Sequence, residues 1–346
     1  MDSDTINQSV DIKSGVSNIL NLIQQDREKE IITRRFGLYD RKETLEQIGE
    51  LLGITRERVR QLEKSILNKL RLNLQNSDNT TLSGMEKSLV RHLAELGRVA
   101  RVDVLSDKIF DKNTDSKERS HVSFVASLAP GLHLLEENDS YHASISIADS
   151  EDSNKLKDDV EEIVTLIKKH GKPISTENLH SLLNHEHPVQ VRALASVSKN
   201  LSELNENWGL NKWPSVNPRN IRDKIYVILE SLGKPMHFSE IADKIKASEF
   251  KRKDVTTQAI HNELIKDNRF VLIGRGIYAL TSWGYSKGTV SEIIVEVLKE
   301  AGQPLHRDEI VRKVLAKRQV KETTILLNLQ SKPEFKRVSK ATYTLA

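Results

Sequence analysis

Four stretches of this chain repeat one pattern, in which an amphipathic helix runs into a glycine and a second helix follows. Ahead of each glycine, apolar residues recur every three or four positions, as in a helix with one buried face. In three copies a proline follows two residues later, where it cannot continue the helix. The glycines are Gly97, Gly171, Gly233 and Gly302. Because they are roughly 60–75 residues apart, each repeat has the size of one small domain.

Each repeat continues with a third helix and a pair of short strands. The third helix is predicted in "VSKNLSEL", "TTQAIHNELIKD" and "TTILLNLQSK", with a weaker copy in "HVSFVASL". Alternating apolar and polar residues follow around a turn, which predicts a two-stranded β-wing. Three helices and a wing are the parts of a winged helix-turn-helix. The sequence therefore predicts a mainly α fold: an N-terminal helix-turn-helix unit followed by four tandem winged-helix domains with short β-wings.

The chain of 346 residues is too long for one small core. Stretches rich in Asn, Ser, Thr and Asp divide it and are typical of linkers. The predicted organisation is a disordered tail at 1–17, a helix-turn-helix at 18–73, a linker at 74–84, winged helix 1 at 85–148, a linker at 149–157, and winged helices 2, 3 and 4 at 158–217, 218–286 and 287–346.

The composition excludes several classes of protein. Without cysteine, the chain has no disulfide, thiolate metal site or cysteine nucleophile. No apolar run approaches the ~18 residues of a membrane span, and the N-terminus lacks the pattern of a signal peptide. We find no catalytic constellation, nucleotide-binding loop or metal-ligand spacing. We therefore expect a cytoplasmic protein that is not an enzyme, needs no cofactor or metal and does not bind a membrane.

The segment "TLEQIGELLGITRERVRQLEKSILNKLR" has the pattern of a helix-turn-helix. Thr44 and Thr55 are suitable N-caps for two helices, and Gly53 permits a sharp turn between them. The predicted inner faces comprise Leu45, Ile48, Leu51, Leu52, Val59, Leu62, Ile66, Leu67 and Leu70. In this motif the second helix lies in the major groove of DNA.

Outward side chains of the second helix have the chemistry of DNA recognition. Arginine can bind guanine with two hydrogen bonds, glutamine can pair with adenine, and glutamate can accept from cytosine. The predicted base contacts are Arg56, Glu57, Arg60 and Gln61. The predicted phosphate contacts are Thr44, Thr55, Arg58, Lys64, Lys69 and Arg71. The alternative is a solvated face whose charges pair along the helix.

Residues 34–71 resemble region 4 of the primary bacterial sigma factors. The resemblance rests on the Arg-Phe-Gly-Leu entry, the Thr-Leu-Glu-x-Ile-Gly helix, the Thr-Arg-Glu-Arg-x-Arg-Gln-x-Glu helix and the closing Lys-Leu-Arg. It implies reading of the promoter −35 element and docking on the β flap of RNA polymerase. It also implies that Arg56, Glu57, Arg60 and Gln61 contact bases, with Arg58 on the backbone. Ser65 stands where that family often has a basic residue.

Residues 221–283 are similar to the HARE-type helix-turn-helix domain of the RNA polymerase delta subunit, through a Pro-Met-His-Phe-x-Glu-Ile motif and a glycine-containing wing. The last repeat is similar to a lesser degree. This resemblance implies association with polymerase or DNA and no catalysis. Cations in the last two repeats could form a second DNA surface, and contact with protein is the open alternative. They are Lys251, Arg252, Lys253, Arg275, Lys317, Arg318, Lys336 and Arg337.

The leading hypothesis is a sigma-like transcription factor that reads a −35-like element, docks on the RNA polymerase core, or both. Since the match begins near residue 34, we expect no −10-recognising, DNA-melting region ahead of it. One alternative is a module that tethers polymerase or another protein without reading bases. Another is a DNA-recognition subunit of a defence system. The expected partners are double-stranded DNA and RNA polymerase, and the oligomeric state stays open.

Overall fold

The computed structural model describes residues 11–76, 80–148, 154–183, 187–250 and 254–346. The chain is mainly helical, with 58% helix and 16 α-helices among the described residues. The described strands form four antiparallel sheets of three strands each. The chain divides into two compact units, Met1–Lys212 and Trp213–Ala346. Among the described residues, no helix combines the length and apolar character that crossing a membrane requires.

The first unit begins with four helices and continues with two of the four repeats. The helices are α1 (Ile12–Leu20), α2 (Asp26–Phe36), α3 (Leu45–Leu52) and α4 (Arg56–Asn76). The first repeat comprises α5 (Thr80–Glu95), β1 (Val99–Arg101), α6 (Val102–Phe110), α7 (Ser116–Leu128), β2 (Leu132–Leu135) and β3 (Ser144–Ile147). The second comprises α8 (Lys155–His170), β4 (Ile174–Ser175), α9 (Thr176–Ser181), α10 (Pro188–Val197), β5 (Leu201–Leu204) and β6 (Asn207–Leu210).

The second unit contains the other two repeats. The third repeat comprises α11 (Ile221–Leu232), β7 (Met236–His237), α12 (Phe238–Ala247), α13 (Thr257–Lys266), β8 (Phe270–Gly274) and β9 (Ile277–Leu280), and a 3₁₀ turn follows at Thr281–Trp283. The fourth comprises α14 (Val290–Ala301), β10 (Leu305–His306), α15 (Arg307–Lys317), α16 (Glu322–Ser331), β11 (Phe335–Ser339) and β12 (Thr342–Leu345).

Each repeat has three helices, and its sheet has a strand that the sequence analysis missed. A short strand between the first and second helices pairs with the last strand, which gives the orders β1-β3-β2, β4-β6-β5, β7-β9-β8 and β10-β12-β11. In the fourth repeat this pairing consists of Leu305 opposite Tyr343 and His306 opposite Thr342. Two residues are too few to show an alternating pattern, so only a two-stranded wing could be predicted.

Local signals at the helix ends were interpreted correctly. Gly233 and Gly302 follow α11 and α14 in the left-handed conformation, both with φ of 63°. His237 and His306 begin the next helices, where each imidazole accepts a hydrogen bond from a backbone N–H two residues later. In the second repeat, however, "VSKNLSEL" is wrong as a third helix, because α10 ends at Val197 and β5 occupies Leu201–Leu204.

Three predicted segment boundaries need correction. The tail at 1–17 is wrong from Ile12 onward, because α1 buries Ile12, Val16 and Ile19. The predicted linker at 74–84 is helical at both of its ends, since α4 runs to Asn76 and α5 starts at Thr80. The linker at 149–157 ends earlier than predicted, because α8 begins at Lys155. The parts of these segments at 1–10, 77–79 and 149–153 lie outside the described residues.

The N-terminal helices and the first repeat share one hydrophobic core. Buried side chains form a continuous cluster from Ile12 in α1 to Ile145 in β3. Phe36 of α2 meets Phe124 of α7 edge to face, with ring centroids 5.2 Å apart. The predicted division between 18–73 and 85–148 therefore does not separate two cores. A polar linker was inferred from composition, but the apolar faces of α1, α5 and α7 join the two parts.

Candidate nucleic-acid interface

The turn between α3 and α4 has the predicted helix-turn-helix chemistry. Thr44 and Gln47 form a reciprocal capping box at the start of α3. Gly53 ends α3 with φ of 65°, and the backbone N–H of Ile54 donates to the Gly49 carbonyl at 2.9 Å. Thr55 Oγ1 then accepts from the backbone N–H of Arg58 at 3.2 Å. Both threonine caps are confirmed, and together with the glycine they fix where α4 begins.

Inward residues of α3 and α4 hold the motif on the shared core. Ile48, Val59, Ile66 and Leu70 are at most 2% exposed. Leu45, Leu52, Leu62 and Leu67 pack against them at the edge of the core. The prediction that Leu51 belongs to the inner face is wrong, because this residue is 54% exposed. Burial of one face of α4 leaves the opposite face of its first turns directed at solvent.

The four predicted base contacts are all exposed, and three of them form one hydrogen-bonded cluster. Arg60 donates to both carboxylate oxygens of Glu57, at 2.8 and 2.7 Å. Gln61 Nε2 donates to the same carboxylate at 3.3 Å. Arg56 pairs with Glu46 of α3 at 2.8 Å. The hydrogen bonds from Arg60 lower the pKa of Glu57, so this carboxylate is ionised near neutral pH.

This cluster can rearrange on a ligand. The side chains of Arg60 and Glu57 are both 57% exposed, and that of Arg56 is 69% exposed. Pairs exposed to water to this degree are screened and contribute little to stability. The arrangement therefore agrees with the alternative of charges paired along a solvated helix, and it also leaves every donor within reach of an approaching duplex.

The predicted phosphate contacts divide into two groups. Thr44, Thr55, Arg58 and Lys64 are exposed around the start of the motif. Further along α4, Lys69 pairs with Glu28 of α2 at 3.0 Å. Arg71 donates two hydrogen bonds to the Ser127 carbonyl of α7, at 3.1 and 2.6 Å. The prediction for Arg71 is corrected, because this guanidinium joins α4 to the first repeat.

A partly buried ion network that the sequence analysis missed supports α4 from behind. Arg35 of α2 lies 3.2 Å from Glu63 of α4 and 2.9 Å from Glu136, which follows β2. Burial raises the pKa of Glu63, although Arg35 opposes the shift. Glu63 comes four residues after Val59 and three before Ile66. That spacing places it on the buried stripe of α4, which is the signal that could have identified the network.

In the described part of the chain, three cations of the predicted second DNA surface are exposed. Arg275 lies in the turn between β8 and β9, and Lys336 and Arg337 lie on β11. Lys251, Arg252 and Lys253 lie outside the described residues. Across the part of the chain that is described, no three His, Asp or Glu side chains form a group that could hold a metal ion.

Lys317 and Arg318, two other cations of that predicted surface, have partners within the protein. Lys317 pairs with Glu296 and Glu300 of α14, at 3.0 and 2.8 Å. Arg318 is half-buried and donates to the carbonyls of Leu272 and Gly288, in the third repeat and in the connection to the fourth. Lys317 therefore joins two helices of the fourth repeat, and Arg318 joins the fourth repeat to the third. Their charge pattern alone could not reveal these acceptors, which are distant in the sequence.

Comparison with known proteins identifies the N-terminal motif. Residues 25–72 match the sequence profile of the family Sigma-70, region 4. The RNA polymerase sigma factor RpoD of Helicobacter pylori strain 26695 is 48% identical over 63 residues, which are 18% of this chain and 9% of that protein. RpoD of strain J99 shows the same identity over the same length. The match thus spans less than a tenth of these relatives' length. Residues 25–72 are therefore a segment of the Sigma-70 region 4 type, containing α2, α3 and most of α4.

Proposed function

We propose that this chain is a sigma-like DNA-binding transcription factor whose helix α4 reads a −35-like promoter element. One observation carries the proposal: the side chains that match the base-reading positions of region 4 lie together, exposed, on the first two turns of α4. Sigma-70 region 4 is a DNA-binding domain that reads the −35 element in sigma factors. Arg56, Glu57, Arg60 and Gln61 are the side chains that would reach bases in this chain.

Base reading requires the cluster on α4 to open. Arg60 would leave Glu57 and donate two hydrogen bonds to guanine O6 and N7. The released Glu57 carboxylate could then accept from the N4 amino group of a cytosine. Because the pair is exposed and screened by water, separating it costs little compared with the new contacts. Thr55, Arg58 and Lys64 would position the helix through the phosphates.

We also propose a contact with RNA polymerase, as the region 4 segment implies. Helix α7 packs against α1, α2 and α4. A polymerase contact would therefore use surface that α7 leaves open, or it would displace α7. An isolated region 4 segment would not meet this condition, because no first repeat would cover part of its surface.

The four repeats are proposed to be tandem winged helices, the last two of the HARE type. Their order of helix, short strand, two helices and two strands supports this interpretation. Such an array would add weak contacts to DNA or polymerase, and linked weak contacts reinforce one another through effective concentration. We propose that the whole chain acts in the cytoplasm, where promoter DNA and polymerase are.

A second candidate function is a tethering module that contacts polymerase or another protein without reading bases. The paired state of Glu57, Arg60 and Gln61 favours it, because the Arg60 and Gln61 donors and the Glu57 acceptor are already partly satisfied within α4. In that case the exposed face of α4 would be a solvated surface, and a substitution there would leave DNA contacts unchanged.

Nuclease footprinting on promoter DNA, with and without RNA polymerase, separates the two functions. For a reading helix, Arg60→Ala combined with Gln61→Ala abolishes a specific protected segment. The matched control is Arg192→Ala in α10, whose exposed guanidinium also pairs with a glutamate on its own repeat, Glu203. Protection that survives the double substitution contradicts base reading, whereas loss of protection in both proteins points to a general charge effect.

A further inference from the structure

The third helices of the four repeats are used in two different ways. In α7, no residue after Ser116 is exposed, and the helix packs against α1, α2, α4 and α5. In α10, no residue after Arg192 is exposed, and the helix packs against β1 of the preceding repeat. The chain itself covers α7 after Ser116 and α10 after Arg192, while Val189 and Arg192 in the first turns of α10 stay exposed.

The third helices of the last two repeats each keep an open face. On α13 the exposed side chains include Gln258, Asn262 and Ile265, and on α16 they include Thr323, Leu327 and Gln330. Ile265 is 65% exposed and Leu327 is 62% exposed, which are the largest values for large hydrophobic residues in the described part of the chain. Single exposed aliphatic residues are common on protein surfaces, but these two lie on equivalent helices and mark faces that stay exposed.

Both faces combine an amide and an aliphatic side chain three residues apart. On α13 the amide comes first, as Asn262 before Ile265, and on α16 the aliphatic residue comes first, as Leu327 before Gln330. Residues at this spacing are neighbours on a helix surface. Asn and Gln amides bind adenine N6 and N7, and apolar side chains contact the thymine methyl group. Each pair therefore matches the major-groove edge of an A·T base pair.

We infer that α13 and α16 form a second duplex-reading surface that prefers A·T pairs, while α7 and α10 only hold repeats together. This inference rests on the winged-helix part of the proposed function. On this inference the ligand of the open faces on α13 and α16 is double-stranded DNA. Of the four repeats, only the last two contact DNA.

The charges around the two faces fit a polyanion such as DNA better than a neutral or basic partner. The exposed cations Arg275, Lys336 and Arg337 belong to the wings of the same repeats, and Lys321 precedes α16. Cations beside a groove-reading helix bind phosphates. The exposed carboxylate on α16 is Glu322, at the first residue of the helix, away from Leu327 and Gln330.

Hydrogen bonds between the last two repeats fix one repeat against the other. The backbone N–H of Gln319 donates to the Ile273 carbonyl at 3.0 Å, and that of Ser286 donates to the Lys317 carbonyl at 3.2 Å. With the hydrogen bonds of Arg318, these contacts tie α15 to β8 and to the intervening loop. A fixed relation between the two repeats predicts a constant spacing between the two A·T steps that α13 and α16 would bind.

The experiment is selection of duplexes from a random pool by the full-length chain. The test variant combines Asn262→Ala with Gln330→Ala. Asn178→Ala, an exposed amide on α9 of the second repeat, is the matched control. Arg60→Ala with Gln61→Ala tests the proposed function in the same assay. Circular dichroism melting checks that each variant is folded.

The expected wild-type pool contains a segment that depends on Arg60 and a separate A·T-containing segment. The test variant should lose only the A·T preference, with affinity for a selected duplex lowered about 5- to 150-fold for each lost bidentate contact. A pool that the test variant leaves unchanged overturns the inference, and so does an equal loss in the Asn178→Ala control. A wild-type pool that contains only the Arg60-dependent segment would sustain the proposed function and refute this second surface.

Discussion

Glu57 and Arg60 determine the state of the recognition face before DNA binds. In the free protein the carboxylate accepts from Arg60 and from Gln61, so three of the four proposed base contacts are linked. An exposed network of this kind is readily exchanged for other partners. It gives the face a defined arrangement without burying any of its donors, which is the condition for a helix that must later make contacts with bases.

The two groups of cations along α4 predict different salt dependences. Lys64→Gln should reduce the slope of log affinity against log salt concentration by about 0.9, since each phosphate contact releases counterions. Arg71→Gln should leave the slope unchanged, because the Arg71 guanidinium already binds the Ser127 carbonyl. Fluorescence anisotropy over a salt series measures both slopes. Equal effects of the two substitutions would mean that Arg71 leaves α7 when DNA binds.

His121 makes the packing of α7 sensitive to pH. Its side chain is 5% exposed, and burial lowers its pKa below the ordinary value of 6.5, with Lys117 adding to the shift. The unfolded chain therefore takes up a proton before the folded protein does. Stability is present above pH 6.5 and is lost as the pH falls from there through the lower folded pKa.

We expect His121→Gln to have a smaller fall in Tm between pH 8 and pH 5 than the wild type. In a unit of about 200 residues, 1 kcal/mol corresponds to roughly 2–4 °C in Tm. Some dependence should remain, because burial also lowers the pKa of His142. His170→Gln, an exposed residue of α8, is the control. An unchanged pH profile in His121→Gln would show that this histidine does not cause the loss.

At the scale of elements, the α3–α4 turn depends on two glycines for different reasons. Gly53 has φ of 65°, but a Cβ there would meet no atom within 4 Å. A Cβ on Gly49 would lie 2.7 Å from the Ile54 carbonyl oxygen, which is part of the backbone and cannot move aside without changing the turn. The first position therefore involves only conformational strain, and the second involves a steric clash.

We expect Gly53→Ala to lower the free energy of unfolding by about 1 kcal/mol. Gly49→Ala should lower it by about 1–3 kcal/mol and also weaken DNA binding, because it displaces the start of α4. Gly84→Ala is the control, since it lies within α5 with open space around it and should stabilise the protein by up to about 1 kcal/mol. Urea unfolding measures all three. A neutral Gly49→Ala would contradict the close contact.

Elements with a local signal were predictable from the sequence, and those defined by distant partners were not. Thr44, Gly53 and Thr55 act on their immediate neighbours, so the helix-turn-helix and its exposed face could be derived from spacing. The two-residue strand β10 exists because it pairs with β12, and Arg71 is occupied because Ser127 lies against it. Neither partner is visible from the local sequence. The same holds for the elements that pack over α7 and α10, which are distant in the sequence.

At the scale of the whole molecule, the chain joins a region 4 segment to four repeats. The first unit combines this segment with two repeats, and the segment shares its core with the first of them. The second unit combines two repeats through Arg318 and its acceptors. The proposed division of labour follows from this arrangement: α4 reads one element, α13 and α16 read another, and the intervening repeats connect them.

The central claim is that the exposed face of α4 reads a duplex. The most direct measurement is the affinity ratio of the full-length protein for a promoter duplex over a scrambled duplex of equal length, at one fixed salt concentration. The wild type should prefer the promoter duplex, and Arg60→Ala with Gln61→Ala should lower the ratio about 5- to 150-fold for each lost bidentate contact while scrambled DNA is bound nearly as before. A ratio near one in the wild type, or a ratio that the double substitution leaves unchanged, would contradict the claim.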